Sequence, residues 1–227
     1  VTFDVAGEAA RAVRDRSAAW RFIEGFAAAW AEPIGPLDGW SRAELAATEE
    51  QLRVRLPESL KEALSLFGKR PDLTSNQDRL LTPSELRLDQ DVLIFRDENQ
   101  WVAAWGTPLG EDDPEVVIKL DLIDKSEERW DPWLPQFSTA CVEMVLSEAL
   151  FRDGAETADR ETSEADISLL EEHFTVLPLN SPGTRWFVRD DVIVREDDGQ
   201  WLWARARTPH ALEVLVKALP GDWTTEY

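Results

Sequence analysis

Cys141 is the only cysteine in a chain of 227 residues, so no internal disulfide can form and a reducing compartment is expected. Histidine is nearly as scarce: His173 and His210 are the only two, and they belong to no metal-ligand spacing. Gly106, Gly110, Gly154 and Gly183 are scattered, and no glycine-rich run leads into a lysine and hydroxyl pair, which removes phosphate-loop chemistry. No apolar run reaches the length of a bilayer-spanning helix. Arg11, Arg14, Arg16 and Arg21 interrupt the first 30 residues, which lack the order of a signal peptide. These absences predict a cytoplasmic protein with no metal, no cofactor and no membrane contact.

Positive charge is also in short supply. Forty-five acidic residues face 24 basic ones, a formal charge of -21. Such a field repels nucleic acid and anionic membranes and speeds encounter with a basic partner. Residues 111–172 carry 19 acidic and 5 basic side chains, which is -14 of that total. The tract serves either solubility or a binding face. Acid pairs are too abundant to select a glycosidase couple, and Asp112-Asp113 and Glu127-Glu128 read as solvated faces. Cys141 has no neighbouring signature for nucleophilic activation. The expectation is a protein that is not an enzyme.

What the chain has in excess is tryptophan, 11 in all, within a 43% apolar composition that supports a substantial core. Asp91-Val92-Leu93-Ile94 followed by Asp97, Gln100 and Trp101 recurs as Asp191-Val192-Ile193-Val194 followed by Asp197, Gln200 and Trp201. Each copy reads as strand, acidic turn, strand, with a buried tryptophan leading the return strand. Six of 14 positions match between the two frames, through either shared hairpin grammar or duplication.

Around these frames, periodicity predicts a helix over 5–30 and a second opened by a Ser41–Glu44 capping box. A third is led by Pro57 and stopped at Gly68. Strands are predicted over 92–95, 101–105, 116–120, 186–188, 192–195 and 201–206, with later helices over 138–151, 164–174 and 209–219. Asp131-Pro132-Trp133 reads as a break, and 152–164, poor in large apolar groups, as a mobile loop.

Leu56-Pro57-Glu58-Ser59-Leu60, the helix to Phe67-Gly68, and Phe95 through Asp97-Glu98-Asn99-Gln100 to Trp105-Gly106 resemble the SUKH superfamily. The resemblance covers roughly 41–151. Trp101 departs from it, standing where many relatives carry a small residue, and the N-terminal helix lies outside the recurrent motif. It implies a single α+β domain over 1–227, with a central, mostly antiparallel sheet flanked by helices and with 1–40 as a helical extension. It also implies a role as an immunity protein that neutralises a cognate bacterial toxin, often a nuclease or deaminase. A regulatory scaffold for a host enzyme or signalling protein is the alternative.

The residues themselves mark a partner-binding set. Glu98 and Asn99 form a turn that is either purely structural or a direct contact. Trp130 and Trp133 flank Asp131-Pro132 as candidate anchors, and Asp112, Asp113 and Glu115 are candidate steering charges for a partner with a basic surface.

Overall fold

The computed structural model describes residues 3–226; residues 1, 2 and 227, at the ends of the expected 1–227 domain, lie outside the described part. Two helices, α1 (Val5–Ala12) and α2 (Arg16–Trp30), stand where one was predicted. Asp15 makes the break: its backbone is extended and its carboxylate accepts the Ser17 amide at 3.0 Å, starting a new helix. Phe22, Phe26 and Trp30 stack along one stripe of α2 and are buried in the main core. The helices of the expected 1–40 extension thus pack into the main core. An aromatic stripe of this size needs a facing surface, and here the rest of the molecule supplies it.

The predicted capping box opens α3 (Arg42–Leu52), with both reciprocal bonds between Ser41 and Glu44 formed. Pro57 leads α4 (Glu58–Phe67), which stops at Gly68, and the short α5 (Pro71–Thr74) follows. The first sheet then contains β1 (Arg79–Leu80), β2 (Arg87–Asp89), β3 (Val92–Asp97), β4 (Ala103–Pro108), β5 (Val116–Leu120) and β6 (Asp131–Leu134), all antiparallel. Its order is β1-β3-β4-β5-β6, with β2 also against β3. The break predicted at Asp131-Pro132 is the edge strand β6, a position where a missing amide donor is tolerated.

All 13 residues of α6 (Phe137–Ala149) are buried, so it is a central helix rather than an amphipathic one. Beyond it lie β7 (Glu156–Glu161), α7 (Glu164–His173), β8 (Thr175–Val176), β9 (Thr184–Arg189), β10 (Val192–Asp197), β11 (Trp201–Ala206), α8 (Pro209–Ala218) and β12 (Thr224–Glu226). The second sheet is antiparallel in the order β12-β7-β11-β10-β9-β8. Strand β7 overturns the mobile loop predicted over 152–164. It has few large apolar side chains because ladders to β11 and β12 hold it on both sides, while Ala158 enters the core and Arg160 pairs with Asp166.

The second sheet is covered on both faces, with period-two alternation dividing its side chains. Trp186, Val188 and Ile193 face the main core around α6, whereas Phe187, Val192, Val194, Leu202 and Ala204 meet Leu212, Leu215 and Leu219 of α8 in a second core. Phe95 and Trp105 of the first sheet share the main core with Trp186 and Ile193 of the second. The fold is thus a mixed α+β single domain with antiparallel sheets flanked by helices, built on two sheets where one was expected.

The repeated frames occupy equivalent places in the two sheets. Asp89 pairs with Val92 and Arg189 with Val192, through tight turns in which Gln90 and Asp190 both have positive φ, 55° and 49°. The partners of Asp97 and Asp197 are Arg79 and Thr184, so β1 and β2 together trace what β9 traces alone, interrupted by residues 81–86. The equivalence ends there. β5 follows β4 in the chain, but the strand beside β11 is β7, which precedes it.

Candidate interaction surface

At one end of the first sheet the 98–102 turn brings apolar side chains to solvent. Glu98 organises it: its carboxylate accepts the amides of Gln100 at 2.7 Å and Val102 at 3.2 Å, while the Trp101 amide donates to the Glu98 carbonyl. The return strand starts only at Ala103, and Trp101 has a left-handed φ of 65°. This corrects the buried tryptophan expected here. The residue is 63% exposed, with the Arg79 guanidinium 5.9 Å from the centre of its ring. Asn99 has no positive φ and is exposed, with its backbone hydrogen-bonded to the Asp78 carboxylate.

Beside Trp101 lie Val102 and Leu120, tied together by the Asp121 amide donating to the Val102 carbonyl at 2.8 Å. Ile123 follows in the β5–β6 loop and is fully exposed. The 121–131 segment carries five carboxylates and two cations, and Lys125 is engaged by Asp121 and Glu128. Four apolar side chains are thus exposed around this end of the sheet, next to an acidic loop, and such groups suit a desolvating contact with electrostatic steering.

The predicted partner-binding residues are not brought together. Glu98 and Asn99 lie at this end of the sheet, but Asp112, Asp113 and Glu115 lie on the β4–β5 loop at the opposite end. Asp113 is committed to the fold: its carboxylate accepts the Ser138 amide at 2.9 Å and the Ser138 hydroxyl at 2.7 Å, holding the first turn of α6. Asp112 pins the same loop through its carbonyl, which accepts the Ser59 amide at 2.8 Å, and leaves its side chain in solvent with that of Glu115.

Trp130 and Trp133 are half-buried buttresses of the sheet. The Trp130 indole donates to Asp89 at 3.2 Å, lies 5.1 Å from the Lys119 ammonium, and crosses Gly106, where a Cβ would come within 3.2 Å of its ring. Trp133 packs edge-on against Trp105 at 5.8 Å. The exposed apolar side chains are instead those of Trp101, Val102, Leu120 and Ile123. Their one signal in the sequence is Leu122-Ile123, an apolar pair set between Asp121 and Asp124.

Beneath the sheet, charges converge on α6. Glu148 is wholly buried and accepts the amides of Asn76 and Gln77 at 2.7 Å, the Asp78 amide at 3.2 Å and the Arg96 guanidinium at 2.6 Å. Arg96 also reaches Asp78 at 3.0 Å and stacks 4.6 Å from the Trp105 ring. One turn away, Glu143 is pushed up to about 7 by burial, an effect that Arg96 and Arg195 only partly offset. Burial also raises the Cys141 thiol far above its ordinary range, so it is the reverse of an activated nucleophile. Glu148 fastens the 76–78 loop, and these groups lock the first sheet to the central helix.

Among the described residues no helix is long and apolar enough to cross a membrane. Comparison with protein-family models, with curated proteins and with solved structures returns no match.

Proposed function

We propose that the protein is a non-catalytic binding module for a basic protein, and that it acts as an immunity protein neutralising a cognate bacterial toxin. The observation that carries the binding reading is the exposure of Trp101, Val102, Leu120 and Ile123 around one end of the first sheet, next to the acidic 121–131 segment. Leu120 ends β5 and the Val102 carbonyl accepts the Asp121 amide, so these two lose little conformational freedom when a partner covers them. A formal charge of -21 favours a partner of opposite sign, and a nuclease or deaminase presents such a surface to its nucleic-acid substrate. The toxin assignment itself comes from the SUKH-like motif residues.

The test begins with capture of the partner from the producing cell and continues with a purified inhibition assay. Stoichiometric loss of toxin activity, with capture weakened by Ile123→Asp, is the expected result. Multiple turnover of a substrate by the isolated protein, or capture indifferent to Ile123→Asp and Leu120→Asp together, removes the reading.

A further inference from the structure

Four arginines are buried: Arg70, Arg96, Arg160 and Arg205. Three are neutralised by carboxylates, Arg70 by Asp38 and Asp72, Arg96 by Glu148 and Asp78, and Arg160 by Asp166. Arg205 is different. Its guanidinium donates to the carbonyls of Ala149, at 3.1 Å, and Trp30, the last residues of α6 and α2, and no described carboxylate pairs with it. Two helix C-termini supply partial negative charge, which accounts for one buried cation.

Two more arginines crowd the same place. Arg152 donates to the same Trp30 carbonyl at 3.2 Å, and Arg207 lies 5.9 Å from the Trp30 ring, which Arg205 also faces at 5.6 Å. Arg207 pairs with Asp191 at 2.9 Å, while Arg152 makes no close ion pair among the described residues, although its charge acts on the Asp72 carboxylate. The three side chains line a cleft of about 390 Å3 with Trp30 and Asp153. Glu156 also borders it, but Glu156 is paired with Ala206 and so directs its side chain to the other face of the sheet.

Each guanidinium offers about five N–H donors, and between them Arg152 and Arg205 spend only three bonds, all on carbonyls. The Nε of Arg205 is buried with no partner. Burial, and after it the charge of Arg152, push Arg205 down to about 10. In a chain of net charge -21, three arginines converge here, with Asp191 paired to Arg207 and Asp153 also on the lining.

We propose that this cleft binds a small molecule carrying a phosphate group, with Arg152 and Arg207 at its mouth and Arg205 at its floor. Guanidinium forks match phosphate oxygens in geometry, and a dianion offsets charges that the helix ends only partly balance. The volume falls at the lower end of the ~300–1000 Å3 found for small-ligand sites, which suits a phosphate monoester.

The test is a titration of the full chain with inorganic phosphate, and separately with a nucleoside monophosphate, at ionic strength held constant with chloride and followed by amide NMR. Saturable shifts confined to residues near Trp30, Arg152 and Arg207 are expected, and Arg152→Gln or Arg207→Gln should each weaken binding by about tenfold, with Arg207→Lys less affected. The same spectra report whether each variant is folded. Tighter binding of the monophosphate points to an esterified ligand, and equal binding to free phosphate. A response that never saturates, or that survives in the folded Arg152→Gln/Arg207→Gln double variant, overturns the site. This outcome is independent of toxin capture, which is read at the far end of the other sheet.

Discussion

Trp101 holds a φ of 65°, where an L side chain costs about 1 kcal/mol, and its indole is mostly exposed. Glycine relieves the backbone, so Trp101→Gly should raise unfolding free energy in urea by ~1 kcal/mol while partner capture weakens by ~2 kcal/mol. Loss of stability would show that the indole is part of the core after all. Glu143 makes a second prediction at this scale. Its folded value of about 7 stands above the ordinary 4.5, so between those pH values the folded state keeps a proton that the unfolded chain releases. The contribution of Glu143 should therefore be complete below about 4.5 and be lost, by roughly 3 kcal/mol, as pH rises through 7. Glu143→Gln should match the parent at pH 5 and exceed it at pH 8 in urea denaturation; equal midpoints at both would remove the linkage.

At the scale of elements, α6 and the 76–78 loop depend on one carboxylate. Glu148→Ala leaves Arg96 buried with its closest partner gone and three backbone amides without an acceptor. Stability should fall by about 3–5 kcal/mol, measured by denaturant unfolding, and hydrogen exchange at Asn76, Gln77 and Asp78 should accelerate. A loss confined to tenths of a kcal/mol would mean that water replaces the carboxylate. Helix limits were legible where local chemistry sets them, as at Ser41–Glu44, Pro57 and Gly68. Strand β7 was not, because its polar residues are held by two neighbouring ladders that no local pattern records. The burial of α6 on every side was hidden for a similar reason: Ser138, Glu143 and Glu148 look solvent-facing until their distant partners arrive.

For the whole molecule, the proposed binding role makes the charge of -21 a determinant of encounter more than of residence. Neutralising Asp121, Asp124 and Glu127 together should slow association with a basic partner at low salt, with little change in dissociation, and added salt should erase the difference. Ile123→Asp should do the converse, raising the dissociation rate in the same surface-plasmon measurement. Acidity was plain from composition, and Glu98 could be placed at a turn, but the anchoring end of the sheet could not. Trp101 and Trp130 have the same residue type and opposite exposures, and only the start of β4 at Ala103 and the approach of Trp130 to Gly106 separate them.

The all-round burial of α6 has a consequence during synthesis. A nascent chain that has reached only Leu150 possesses the complete first sheet and the N-terminal helices, but Trp186, Ile193 and Arg205 have yet to be made. One flank of its central helix is then bare, a binding site for chaperones and an early target for proteases, until translation delivers the second sheet.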